Sequence, residues 1–123
     1  MPGPRPSTLA LLAAAAVLIA GCGRTKVVSQ DRAVNMALSE YRLHPASIRV
    51  SAGPLTFYVH NYGRLSHDLV VAQDGQTIGQ TKPLPPGQSA ELALDLAPGR
   101  YSMVSTMRSD QALGAYGTLE VSQ

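Results

Sequence analysis

The chain has 123 residues, a formal net charge of +2, 45% hydrophobic residues and a single cysteine. That length fits one domain. No basic run with interleaved aromatics points to nucleic acid as a partner. A lone cysteine excludes an internal disulfide, so the domain must be held together by its apolar core.

Taken from the start, Met1 to Pro6 carries one charge, Arg5, and Thr8 to Ala20 is an apolar run ending in "LIAGC", Leu18 to Cys22. A charged start, a short apolar run and small residues at a cut site predict a secretory signal over residues 1–21. The run is shorter than the roughly 20 apolar residues that a membrane span needs. "IAGC" resembles the lipobox of bacterial lipoproteins. The resemblance implies diacylglycerol on the Cys22 thiol, cleavage before Cys22, and acylation (palmitate) of the new amino terminus. It places the protein on the outer, extracytoplasmic face of a bacterial cytoplasmic membrane, with the membrane as a partner through the lipid on Cys22. Buried acyl chains contribute about 0.8 kcal/mol per CH₂, so several chains hold firmly. Residues 22–32, with the polar stretch "GRTKVVSQD", read as lipidated cysteine and tether. Residues 33–123 read as the domain.

No stretch after residue 31 has a helical period. Short runs rich in Val, Leu, Thr and Tyr alternate with turn residues, which predicts an all-β fold. Ala33 to Leu43 reads as one long, bent strand, and Ser47 to Ser51 as a second. "AGP", Ala52 to Pro54, reads as a turn. "LTFYVHN", Leu55 to Asn61, alternates with Leu55, Phe57 and Val59 inward and Thr56, Tyr58 and His60 outward. His67 to Gln73 reads as a nearly continuous apolar strand closed by the turn residues "DGQ". "PLPPGQ", Pro83 to Gln88, reads as a rigid corner that excludes regular pairing. Ser89 to Leu96 alternates, with Ala90, Leu92, Leu94 and Leu96 inward. Tyr101 to Met107 and Tyr116 to Ser122 complete the set. Seven to eight strands with turns every eight to twelve residues predict a two-sheet, Greek-key β-sandwich.

The ordered stretches "EYRLHPASIRVSAGPLTFYVHNYG", "SHDLVV", "LPPGQSAELALDLAPGRY" and "GAYGTLEV" resemble the cupredoxin (plastocyanin/azurin-like) family over about residues 33–121. The resemblance implies a copper site of two histidines, a cysteine thiolate and a weak methionine. Such a set suits copper because the soft thiolate and the imidazoles accommodate both oxidation states. Matched position by position, the first histidine is His67, the cysteine falls on Ser105, the second histidine on Asp110 and the methionine on Ala115. One ligand of four survives. A serine hydroxyl is a hard, neutral donor, so no type 1 copper centre is expected.

The remaining donors leave other readings open. His67 reads either as a retained histidine bonded to neighbouring loops or as a ligand. With Met107, at the mouth of the lost site, and Asp110 it would form a soft, imperfect metal site. Met103 reads as core packing, where an unbranched thioether fits well. His60 and His44 read as exposed polar residues. Ser105, His67 and Asp110 have the residue types of a hydrolytic triad, but no nucleophile elbow or oxyanion hole accompanies them, and no enzyme is expected. Two functions compete. One is a cofactor-free binding or accessory module whose loop cluster engages an unidentified protein partner. The other is copper binding, for delivery or electron transfer, through His67 and Met107.

Overall fold

A computed structural model describes residues 24–123. The predicted signal peptide and Cys22 lie outside the described residues. Among the described residues, no helix is long and apolar enough to cross a membrane.

Among the described residues, ten strands and one short helix build two packed sheets. The first sheet contains β1 (Lys26–Val27), β4 (Ser47–Ser51), β10 (Tyr116–Ser122), β9 (Gly99–Val104), β6 (Val70–Gln73) and β7 (Gln76–Gln80), in that order. The second contains β3 (Arg42–His44), β2 (Ala33–Ser39), β5 (Gly53–Asn61) and β8 (Ser89–Leu96). Both sheets are mixed. β4 pairs parallel with β1 and β10, and β2 pairs parallel with β5.

Alternation explains the core. Leu55, Phe57 and Val59 of β5 are buried, as are Val34, Met36 and Leu38 of β2, and Ile48 and Val50 of β4. They meet Tyr101 and Met103 of β9 and Leu119 and Val121 of β10 between the sheets. Each strand gives one face to this layer, the arrangement a sandwich requires. Tyr101 packs its ring there and donates its hydroxyl to the Ala97 carbonyl (2.7 Å), which ties the strand to the preceding turn.

Four expectations need correction. Ala33 to Leu43 is a hairpin, β2 and β3, turning at Glu40 and Tyr41. A single bent strand would carry Glu40 into the sheet, whereas the turn frees its carboxylate. Residues 26–28 are more than tether, because β1 pairs with β4 and Val28 is buried in the core. The strand count rises to ten partly through β7, whose one large apolar residue, Ile78, is exposed. An edge strand with so little to bury gives no alternation signal. β9 ends at Val104, and a four-residue helix, α1 (Asp110–Leu113), fills the connection to β10.

The half-buried Leu92 and Leu94 of β8 pack where the sheet edges approach. A Cβ at Gly79 of β7 would lie 2.4 Å from a Leu94 methyl carbon, so the missing side chain lets this corner close.

Candidate functional site

One end of the sandwich gathers the β2–β3 turn, the loop before β6, the proline corner and the segment between β9 and β10. Asn61, fully buried at the end of β5, organises it. Its amide nitrogen donates to the carbonyls of Leu65 and Leu84 (2.8 Å each), and its side-chain oxygen accepts the Gly63 amide (2.7 Å). His67 then exchanges backbone hydrogen bonds with Leu84, so the corner does form one bridge despite its prolines. His67 is therefore fixed before any side-chain contact is considered.

The His67 ring is fully buried. Its Nδ1 lies 2.6 Å from a carboxylate oxygen of Asp110, and its Nε2 lies 2.5 Å from a carboxylate oxygen of Glu40. A neutral imidazole has only one N–H. Two ionised carboxylates are satisfied by one ring only when both nitrogens donate, which is the imidazolium form. Burial alone pushes His67 down, but the hydrogen bonds to Asp110 and Glu40 more than reverse this, so its pKa lies above the ordinary 6.5. The backbone amide of Arg64, then the His67 ring, holds Glu40 below its ordinary 4.5. Arg64 N–H donates to both Glu40 oxygens, at 2.7 and 3.0 Å.

Ser105 joins the same network. Its hydroxyl donates to the Asp110 oxygen that also faces His67 (2.6 Å) and accepts the Asp68 amide (3.2 Å). Asp68 accepts the Thr106 amide and hydroxyl, both at 2.6 Å. Ala115, buried, accepts the Ser105 amide and donates its own N–H to the Asp110 carbonyl. Three of the four positions the family resemblance picked out, His67, Ser105 and Asp110, are thus in one hydrogen-bonded cluster, and the fourth lines it.

Of the trio His67, Met107 and Asp110, the structure brings His67 and Asp110 into direct contact. Both ring nitrogens of His67 are engaged by carboxylates on opposite edges of the ring. Met107 is half-buried and lines a depression of about 620 Å³ with Arg64, Leu65, Arg108, Leu113 and Asp110, the last of which also bonds His67. Among the described residues, no group of three or more His, Cys, Asp or Glu side chains is arranged to hold a metal ion. The donors present are a hydroxyl, two carboxylates and a ring already bonded twice. They do not fit a type 1 copper ion, which calls for thiolate and free imidazole. The hydrolytic reading meets a different obstacle. Asp110 stands between Ser105 and His67, whereas a triad needs the histidine between serine and aspartate.

Glu40 is the residue that sequence reasoning misses. Inside a continuous strand it has no role; recognised as a turn, "SEY" puts a carboxylate at the loop end. Asp68, beside His67, is missed too, because its partners lie in a distant segment.

A two-sheet sandwich with this end-loop arrangement defines a cupredoxin-like class. The family model for a cupredoxin-like domain matches residues 10–115, and the chain belongs to that family. Auracyanin from the photosynthetic bacterium Roseiflexus castenholzii superposes with a TM-score of 0.69, at 20% identity, over 75% of this chain and 98% of that one. Azurin from Methylomonas sp. strain J gives 0.65, at 13% identity, over 74% and 98%. Auracyanin A from Chloroflexus aurantiacus, a "blue" copper protein, gives 0.61, at 15% identity, over 72% and 97%. At these identities the likeness is one of fold. No curated protein matches the chain significantly by sequence.

Proposed function

We propose that this protein is a cupredoxin-like binding or accessory module, lipid-anchored through Cys22 on the outer face of the membrane, that works without a type 1 copper site and is not an enzyme. One observation carries the reading: the imidazole at the matched ligand position is bracketed by Asp110 and Glu40 and has no nitrogen left for a metal. The replaced cysteine position donates its hydroxyl to Asp110, so the scaffold uses these residues to tie its loops together. The neighbouring depression, with exposed Leu65 and Leu113 beside Arg64 and Arg108, is the surface offered to a protein partner. Loops held by a rigid sandwich commonly carry binding.

Absorption spectroscopy of the full chain in detergent with added Cu(II) tests the metal part. No thiolate-to-copper band is expected, and His67→Ala should leave copper uptake unchanged. A blue band in the wild type, or copper uptake lost with His67→Ala, would favour copper handling instead. Membrane fractionation tests the anchor: Cys22→Ala should move the protein to the soluble fraction.

A further inference from the structure

The outer face of the second sheet carries a feature unconnected with the buried network. Register places His44 of β3 opposite Ala37 of β2, Ala37 opposite His60 of β5, and His60 opposite Ser89 of β8. The four form one row across four strands. Leu43, Val59, Met36 and Leu38 point into the core, so alternation turns His44, Ala37 and His60 outward. Two of the three histidines of the chain therefore flank a single alanine on an open sheet face. With strands about 4.8 Å apart, their Cα atoms lie about 10 Å apart. Only a methyl group stands between them, and two imidazoles leaning inward span that gap with metal–nitrogen bonds of about 2.0–2.1 Å.

The second observation concerns orientation. His60 Nδ1 is hydrogen-bonded to the Ser89 hydroxyl (2.5 Å), and its ring packs on Tyr62 with centroids 4.3 Å apart. That leaves Nε2 as the nitrogen with no hydrogen-bond partner among the described residues. Metal-binding histidines are commonly held this way, with the second ring nitrogen engaged by a neighbour. His44 and His60 line the same depression, of about 640 Å³, and Glu91 adds a carboxylate to its wall.

We infer that His44 and His60 form a two-imidazole surface site for a divalent first-row transition ion, with water completing the coordination. Imidazole donors suit zinc, copper and nickel, and the order of affinities favours Cu(II). This site is distinct from the family's loop-end position and independent of His67.

The test uses the full chain in detergent, alongside its Cys22→Ser variant, so that any uptake through the single cysteine is told apart. Titration with Cu(II) and Zn(II), followed by calorimetry, should give one ion per chain. The Cu(II) paramagnetic resonance spectrum should show coupling to two imidazole nitrogens. His44→Ala and His60→Ala should each abolish the stoichiometric site, while His67→Ala leaves it intact. Ser89→Ala, which keeps both imidazoles, should weaken binding by about 10-fold or more. Absence of stoichiometric binding, or binding that survives both single histidine substitutions, overturns the assignment.

Discussion

Two clusters of charge on this sandwich mirror each other. On the first sheet, one carboxylate stands between two cations: Glu120 meets Arg49 at 3.3 Å and Arg100 at 2.6 Å. At the loop end, one imidazole stands between two carboxylates, Asp110 and Glu40. The Arg49 and Arg100 side chains are 66% and 73% exposed, whereas His67 is 0% and Asp110 4% exposed. Exposed pairs gain little, because water and salt screen them and two long side chains lose freedom. A buried cluster is different: breaking it leaves a charge with neither partner nor water. The inverted stoichiometries also respond differently to pH, since only the buried cluster depends on a histidine.

The comparison is broken most severely by Asp110→Ala. It strands the His67 Nδ1–H and the Ser105 hydroxyl in the interior, and chemical denaturation should report a loss of about 3–5 kcal/mol. Ser105→Ala removes the hydroxyl that accepts the buried Asp68 amide, and its expected loss is smaller, about 1–3 kcal/mol.

The pH profile sharpens the contrast. The folded pKa of His67 is raised, so its contribution is complete below 6.5 and is lost as pH rises through the higher folded value. The folded pKa of Glu40 is lowered, so its contribution is complete above 4.5 and is lost as pH falls through the folded value. The urea midpoint should peak between these two ordinary values and decline on the alkaline side. A His67→Gln variant should lose that alkaline decline; a decline of undiminished size would refute the assignment.

Gly63 offers a gentler probe. A Cβ there would lie 1.9 Å from a Glu40 carboxylate oxygen and 3.0 Å from His67 Nε2. Glu40 is partly exposed and able to swing away, so Gly63→Ala should detach it without unfolding the loop. Histidine titration by NMR should then find His67 with a lower pKa than in the wild type. At the small end, Glu120→Gln should leave the thermal midpoint unchanged within error at moderate salt.

The alternating strands are legible in the amino-acid sequence alone. β4, β8 and β10 coincide with the predicted spans Ser47–Ser51, Ser89–Leu96 and Tyr116–Ser122, because each has an apolar residue at every second position or a sharp turn at its ends. The β2–β3 hairpin is not legible, because "LSEYRL" contains no glycine or proline to mark its turn. The loss of the thiolate is plain at Ser105. What takes its place is not, since Glu40, His67 and Asp110 come from three separate segments and meet only when the loops are packed.

Composition and alternation by themselves determined a β-sandwich held by an apolar core, because a periodicity of two is written locally, residue by residue. The residue types at positions 67, 105, 110 and 115 likewise determined that no sulfur ligand stands there. The tertiary structure alone decided that a turn carboxylate closes on His67 and that His44 and His60 share a row. His67 lies 27 residues from Glu40 and 43 from Asp110 along the chain. Side-chain neighbours at such separations depend on register and loop closure, which no local pattern specifies.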